Sequence, residues 1–311
     1  MSVHFMDKLY FKLMIKRVLP AVFLVLMAVG HSYAALPLEA QHKVLGSFHE
    51  IAFVLLLGVL VGVVGTLIGA GGGFLVVPTL IILYGFTPQH AVGTSMVVVF
   101  LNALSGTFSY VAQKRIDYGL GIRFAVFASP GVIIGAFAGQ QLSSMIFSIL
   151  FSLLLTLMAY SLIFKKDFYL VCEAGVLPAQ RTVHDAGGEV HTYSPDLSIG
   201  YSGSFLVGLL SGLFGIGGGL IHVPLMNFMG IPIHIAAATS HFMIVITSFF
   251  GVMIFLGLKT IDLHYAVFLG VGSILGAYFG AKIAAETDSD LIKKIIAVIL
   301  VLVALRLLLG T

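Results

Sequence analysis

The chain has very few charged residues for its length, and it has no tryptophan. Only 9% of its 311 residues are charged, whereas 59% are hydrophobic, and the mean hydropathy is +1.11. A soluble domain carries roughly 25% charged residues, so this chain could not cover its surface in water. Its apolar runs are continuous and helix-length, rather than alternating over short strands as in a membrane β-barrel. The composition predicts an all-α polytopic membrane protein.

Other absences exclude several classes of site. The single cysteine, Cys172, rules out an internal disulfide and any site with several cysteine ligands. No basic patch with interleaved aromatic residues occurs, so we expect no nucleic-acid partner. No G-x-x-x-x-G-K-[ST] loop is present, so ATP does not drive the protein directly. We expect no metal, no cofactor and no enzymatic activity, and the sequence gives no expectation for an oligomeric state.

Residues 1–50 form a separate N-terminal region with two interpretations. Basic residues precede an apolar stretch at residues 18–29, and Ser32-Tyr33-Ala34 is a small-residue cleavage pattern typical of a secretory signal. The run over residues 18–36 is also just long enough to be an uncleaved first membrane helix. Both interpretations place residues 37–50 outside the cytoplasm.

Glycine is abundant, and its densest cluster occurs twice. Residues 65–78 read GTLIGAGGGFLVVP, and residues 211–224 read SGLFGIGGGLIHVP, with the glycines and the proline aligned at a constant offset of 146. Thr94-Ser95 matches Thr239-Ser240, and Ile116-Asp117 matches Ile261-Asp262, both at an offset of 145. The sequence therefore predicts two repeats, 51–164 and 199–311, separated by a polar loop over 165–198.

Each predicted repeat consists of a helical hairpin broken at the glycines and three spanning helices. Because the short segment after each glycine cluster returns to the side it came from, the second repeat is inverted relative to the first. This topology places thirteen of the 16 Lys and Arg residues, and the loop 165–198, on the cytoplasmic side. Within that loop, residues 181–194 alternate weakly around a turn, which predicts a small β-hairpin. The segments are 51–68, 74–84, 89–112, 121–140 and 145–164, then 199–214, 220–229, 233–258, 264–281 and 292–310.

The two glycine clusters predict a substrate site. Glycine exposes backbone N–H groups to a close ligand, and the helix that follows begins with unsatisfied donors and about half a positive charge. Such an end binds oxyanions without a cationic side chain. The alternative is that the glycines only let helices approach closely. Duplicated helix breaks in a transporter favour the site, so the predicted ligand is a small anion contacting Gly71, Gly72, Gly73, Gly217, Gly218 and Gly219.

Hydroxyl and amide side chains extend the predicted site. The pairs Thr94-Ser95 and Thr239-Ser240 are placed to donate to the anion, or else to bond to the carbonyl one turn earlier. Asn102 must face protein or a cavity, where it either lines the site or joins two helices.

Two histidines lie near the second glycine cluster, where the first repeat has Val76 and Met96. His222 and His241 are candidates for proton coupling because histidine titrates near neutral pH. The alternative is a neutral, packed histidine. Sodium coupling and facilitated diffusion remain open alternatives.

The glycine pattern resembles that of a known family. GAGGGFLVVPTL…AVGTS and GIGGGLIHVPLM…AAATS both fit G-x-G-G-G-x-x-x-x-P followed by T-S. This pattern is similar to that of the sulfite exporter TauE/SafE family of membrane permeases, over most of the chain except residues 1–50 and 165–198. The resemblance implies a multi-pass permease of the cytoplasmic (inner) membrane that transports sulfite, sulfonates or related organic anions.

The function we expect is therefore secondary transport of small anions by alternating access. An anion channel is the first alternative, since it would use the same helix ends, and a transporter of a small carboxylate is the second. An intramembrane hydrolase is excluded because adjacent Ser240 and His241 point about 100° apart on a helix. No carboxylate lies within the apolar core to orient the histidine.

Overall fold

Ten helices and one β-hairpin make up the part of the chain that the structure, a computed structural model, describes: residues 48–164, 180–284 and 289–309. The N-terminal prediction for residues 1–36 lies outside these residues. The first five helices are α1 Phe48–Ile68, α2 Gly73–Tyr84, α3 Pro88–Ala112, α4 Tyr118–Gln140 and α5 Ser144–Phe164. The strands β1 Arg181–His184 and β2 Val190–Tyr193 are followed by α6 Leu197–Phe214, α7 Gly219–Phe228, α8 Ile233–Gly257, α9 Leu263–Ala284 and α10 Ser289–Leu309.

The all-α polytopic prediction is confirmed. Each predicted apolar segment corresponds to one helix, with ends that differ by at most three residues. Within the described residues, seven helices are long and apolar enough to cross a membrane, namely α1, α3, α4, α5, α6, α8 and α9. The chain is a multi-pass membrane protein. The predicted β-hairpin is also present, with Arg181 paired to Tyr193 and His184 to Val190.

The helices α2 and α7 are too short to span a membrane. They contain 12 and 10 residues, which at 1.5 Å per residue extend over about 18 and 15 Å. The hydrocarbon core is about 30 Å thick. Each therefore reaches only about half-way across, and each begins at a glycine loop.

Rows of glycine bring two pairs of helices into backbone contact. A Cβ atom on Gly276 of α9 would lie 2.1 Å from the Val59 carbonyl oxygen of α1, and one on Gly212 of α6 would lie 2.1 Å from the Val132 carbonyl oxygen of α4. Such glycine-spaced interfaces are typical of membrane helices. Each pair joins a helix of residues 51–164 to a helix of residues 199–311.

The long helices α3 and α8 run antiparallel. Thr94, near the start of α3, accepts a hydrogen bond from the Asp262 N–H, which follows α8, at 3.0 Å. Thr239, near the start of α8, accepts one from the Asp117 N–H, which follows α3, also at 3.0 Å. These bonds are equivalent at the offset of 145 residues, and each places the start of one helix beside the end of the other.

The β-hairpin docks beside the connection from α3 to α4. Arg115 contacts Asp185 of the hairpin turn at 3.4 Å, and Arg181 of β1 lies 3.7 Å from Asp117. The side-chain amide of Gln113 donates to the Ala281 carbonyl near the end of α9 at 3.1 Å. The hairpin, the end of α3 and the end of α9 therefore lie on the same face of the helix bundle.

We predict that replacing Gly212 by Ala destabilises the protein because the new methyl group would overlap the Val132 carbonyl and force α4 and α6 apart. Overpacking of this kind costs about 1–3 kcal/mol. Gly257→Ala is the matched control, since a Cβ there meets nothing within 4 Å. Thermal melting in detergent should show a lower midpoint for Gly212→Ala alone; equal midpoints would contradict the close contact.

Candidate functional site

Both glycine loops adopt backbone conformations that require glycine. In the first loop, Gly69, Gly71 and Gly72 have φ values of 77°, 72° and 83°. The matching residues Gly215, Gly217 and Gly218 have φ values of 69°, 74° and 83°. These angles lie in the left-handed region, which other residues rarely adopt. The two loops therefore share one conformation as well as one sequence pattern.

The two loops contact each other directly. A Cβ atom on Gly73 would lie 2.2 Å from the Gly215 carbonyl oxygen, and a Cβ on Gly219 would lie 2.2 Å from the Gly69 carbonyl oxygen. Both glycines are the first residues of their helices, α2 and α7. The structure thus brings together the two helix N-termini that the sequence singled out.

Serine side chains hold each loop from the opposite half of the chain. The Ser95 hydroxyl donates to the Gly215 carbonyl at 2.8 Å, and the Ser240 hydroxyl donates to the Gly69 carbonyl at 3.2 Å. Together with the threonine contacts of Thr94 and Thr239, all four predicted hydroxyl groups have protein partners in this conformation. Their predicted contact with an anion stays a prediction.

Backbone donors remain free at the start of both short helices. The N–H groups of Leu75 and Val76 donate to the Gly72 carbonyl. Among the residues described, those of Gly73 and Phe74 have no backbone acceptor, and neither Gly72 nor Gly218 supplies a side-chain cap. The glycines at 71–73 and 217–219 are all buried. The arrangement places two partial positive charges inside the helix bundle.

Asn102 joins two helices. Its side-chain oxygen accepts from the Thr66 hydroxyl at 3.1 Å, and its amide donates to the Gly62 carbonyl at 3.3 Å. The matching residue, Thr247, instead donates to the Met243 carbonyl of its own helix at 3.1 Å. In this conformation Asn102 thus makes the interhelical contact that was expected as the alternative to lining the site.

The two buried histidines have different surroundings. The His241 ring lies against Gly106 and stacks edge-on with Tyr110, with ring centroids 5.4 Å apart. The His222 ring lies beside Gly218 at the start of α7. All four ring nitrogens are buried without a hydrogen-bond partner within the described ranges; the Gly69 carbonyl lies near His241 but outside hydrogen-bond geometry.

Sequence reasoning missed several polar residues of this region. Ser204 and Ser211 of α6 are buried with unpaired hydroxyls. The sequence contained a signal for both serines, because they occupy the positions at which the first repeat has Gly58 and Gly65. The hydrogen bonds from Asp262 to Thr94 and from Asp117 to Thr239 were also missed. Both aspartates belong to the Ile-Asp pairs that match between the repeats.

Several interacting charged side chains lie at the hairpin, away from the glycine loops. The Asp117 carboxylate accepts a hydrogen bond from the Tyr193 hydroxyl at 3.0 Å; burial, and then the Asp117 charge, raise the pKa of Tyr193. Burial alone would raise the pKa of Asp185, but the backbone N–H of Glu189 and the Arg115 guanidinium outweigh it and hold that pKa below its ordinary value. These interactions stabilise the docked hairpin and take no part in the glycine loops.

A groove of about 660 Å³ lies between α3 and α9, beneath the hairpin turn. Its lining is mainly apolar, with Gln113 and Lys282 among the few polar residues, and Phe108 within it is 70% exposed. None of the predicted site residues lines it. The groove therefore belongs to the outer surface of the bundle rather than to the glycine loops.

Comparisons with known proteins agree on a single family. Residues 54–307 match the family model described as Sulfite exporter TauE/SafE. A probable membrane transporter protein of Bacillus subtilis is 36% identical over 270 residues, which cover 83% of this chain and 98% of the relative. One from Methanocaldococcus jannaschii is 27% identical over 282 residues, covering 84% and 98%. An Arabidopsis thaliana protein named Sulfite exporter TauE/SafE family protein 6 is 42% identical over 84 residues, covering 26% of this chain and 20% of the relative. No solved structure matches significantly.

We predict that Asn102→Leu destabilises the fold more than Thr247→Val does. The first change leaves the buried Thr66 hydroxyl and Gly62 carbonyl without their interhelical partner, which costs about 1–3 kcal/mol. Thr247→Val removes only a side-chain hydrogen bond within α8, and the carbonyl groups of α8 keep their backbone partners. Melting midpoints of the two purified variants test this difference, and equal midpoints would refute the interhelical role of Asn102.

Proposed function

The chain belongs to the sulfite exporter TauE/SafE family of membrane transporters, and from that premise we propose that it is a secondary transporter of small anions. The family is one of transporters and not of enzymes. The observation that supports an anionic substrate is the meeting of the α2 and α7 N-termini, whose first N–H groups have no backbone acceptor among the described residues. Two positive helix ends inside an apolar bundle favour a negatively charged ligand.

We propose that the substrate is sulfite, a sulfonate or a related organosulfur anion. The support is the name of the family and of the Arabidopsis thaliana relative. A small carboxylate is the alternative substrate, since it presents the same oxygens to backbone donors. The proposed binding residues are those at which the two loops and their hydroxyl partners meet: Gly71, Gly72, Gly73, Thr94, Ser95, Asn102, Gly217, Gly218, Gly219, Thr239 and Ser240.

The proposed mechanism is alternating access between two inverted repeats, residues 51–164 and 199–311. Antiparallel α3 and α8, and hydrogen bonds that recur at the same offset, support this arrangement. In transporters of this kind the site lies at broken helices between the repeats. All glycines of the two loops are buried, so exposing them to either side requires one half to move against the other.

We propose an orientation in the cytoplasmic (inner) membrane with the loop 165–198 in the cytoplasm. The support is that Arg115, Arg181 and Lys282 lie on the same face as the hairpin. Positive residues concentrate on the cytoplasmic side of membrane proteins.

Transport assays with purified protein in liposomes test the function. We predict saturable uptake of labelled sulfite that is accelerated by sulfite on the opposite side, because a carrier exchanges its substrate and a channel does not. Gly218→Ala should reduce this uptake at least tenfold, since Gly218 has a φ of 83° and a Cβ there would lie 3.3 Å from the His222 Nδ1 atom.

Gly230→Ala provides the matched control. Gly230 has a φ of 82°, and nothing lies within 4 Å of an added Cβ, so the backbone strain is the same without the contact. Uptake by this variant should stay near that of the original protein. Steady ion currents without exchange would instead support the channel, and equal loss in both variants would remove Gly218 from the site.

We also propose that His241 or His222 couples transport to protons, with sodium coupling as the alternative. The ring of His241 is buried, has no hydrogen-bond partner among the described residues, and faces Gly106 and Tyr110. We predict that His241→Gln flattens the pH dependence of sulfite uptake over the range in which histidine titrates, about pH 5 to 8. Tyr110→Phe, which keeps the ring contact, should retain the original pH profile. An unchanged profile in His241→Gln would assign this residue to packing.

A further inference from the structure

The two glycine loops share a backbone conformation but differ in their polar surroundings. Ser211 and His222 lie beside Gly218 of the second loop, Ser204 lies two turns before Ser211 on α6, and all three are buried. At the offset of 146 residues the first loop has Gly58, Gly65 and Val76 in their places. The second half of the chain therefore carries polar groups that the first half lacks.

These polar groups include atoms with no hydrogen-bond partner in the part of the chain that the structure describes. Seven buried side-chain nitrogen and oxygen atoms lack a hydrogen-bond partner in the described ranges, and four of them belong to Ser204, Ser211 and His222. His222 is 2% exposed and Ser211 is 1% exposed. Buried polar groups are nearly always hydrogen-bonded, so a cluster of unpaired ones indicates a ligand or a water molecule.

Two of these side chains, His222 and Ser211, lie at the N-terminus of α7. The position that a Cβ on Gly218 would take lies 3.3 Å from His222 Nδ1 and 3.5 Å from Ser211 Cβ. On Gly72, the same position lies 2.6 Å from a Val61 methyl group, whereas the position on Gly218 lies 3.2 Å from the matching Val207 methyl group. The atoms nearest to Gly218 therefore include a polar atom of His222, whereas those nearest to Gly72 all belong to Val61.

The backbones of the two loops also differ, because the first loop bonds N–H groups that the second loop leaves free. The N–H groups of Ala70 and Gly71 both donate to the Gly65 carbonyl, at 2.7 and 3.2 Å. Among the residues described, the matching N–H groups of Ile216 and Gly217 have no backbone acceptor. The second loop thus keeps more donors free than the first.

We propose that the anion binds asymmetrically, with one of its oxygen atoms at the N-terminus of α7, beside Ser211 and His222. This inference rests on the proposed function and specifies which loop binds. The Ser211 hydroxyl and the first N–H groups of α7 donate to the oxygen. The His222 Nδ1 atom, which is the ring nitrogen near Gly218, donates to the oxygen when it carries the ring proton and accepts from a protonated oxyanion when it does not. The first loop, closed by its own contacts, serves as the structural counterpart.

The same hydrogen bonds would hold a resident water molecule, so the test must separate the two sources of the oxygen. Ser211→Ala and His222→Val remove the polar atoms, and valine is the residue that the first repeat has. Dissociation constants for sulfite and for acetate are measured by calorimetry at fixed pH on the full-length protein in detergent. Melting midpoints are measured without added anion.

We expect each substitution to weaken the binding of sulfite or acetate about tenfold or more, because hydrogen bonds to a charged group are the stronger kind. The melting midpoint without anion should stay the same or rise, since an unpaired buried polar atom is replaced by an apolar one. Ser129→Ala is the matched control: Ser129 is a buried serine that donates to the Ala125 carbonyl of its own helix at 2.7 Å. It should leave both dissociation constants unchanged.

The outcomes separate this inference from the proposed function. If the original protein binds neither anion, the anion-transport proposal fails, and the asymmetric site fails with it. If the original protein binds and both variants bind equally well, the asymmetric site alone is overturned. A lowered melting midpoint with unchanged binding identifies a structural water molecule and also overturns it.

Discussion

Unwound backbone inside a membrane must find its hydrogen-bond partners within the protein, and the rest of this structure follows from how that requirement is met. Each glycine loop exposes carbonyl groups where no water is present. The Gly215 carbonyl is bonded by Ser95, and the Gly69 carbonyl by Ser240. Each loop is therefore satisfied by the opposite half of the chain. Neither half can keep its loop in this conformation alone, so the two halves must assemble face to face.

Close helix contacts make that assembly geometrically possible. The glycine rows of α6 and α9 let the carbonyl groups of α4 and α1 approach to distances that no side chain would permit. Because both helix pairs join one half of the chain to the other, the close approach of the paired helices also brings the two loops into contact at Gly73 and Gly219. Dispersion and close packing replace the hydrophobic effect as the force between helices in lipid. Glycine thus allows both the close helix interfaces and the conformation of the two loops.

The sequence predicted the elements better than it predicted their partners. Apolar runs and glycine breaks located the helices to within three residues because both depend on local composition. The hairpin was likewise visible in its alternation and turn residues. The repeat identified Thr94 and Ser95 as significant, but not the residues they contact, Asp262 and Gly215, since these depend on how two distant segments pack. The sequence showed His222 where the first repeat has Val76, but the difference at Ser211, where the first repeat has Gly65, was missed because the match between the repeats drew attention to what they share.

The inequality of the two loops has an energetic consequence for a carrier. An unpaired buried polar group costs about 1–3 kcal/mol, so the atoms of Ser211 and His222 destabilise this closed conformation when no ligand is bound. An anion oxygen that satisfies them would lower the free energy of the closed state relative to open ones. A ligand can shift a conformational equilibrium only through such differential binding. In the proposed transporter, the second loop thus links substrate binding to closure of the site. The tightly packed first loop supplies a fixed surface against which the second loop closes.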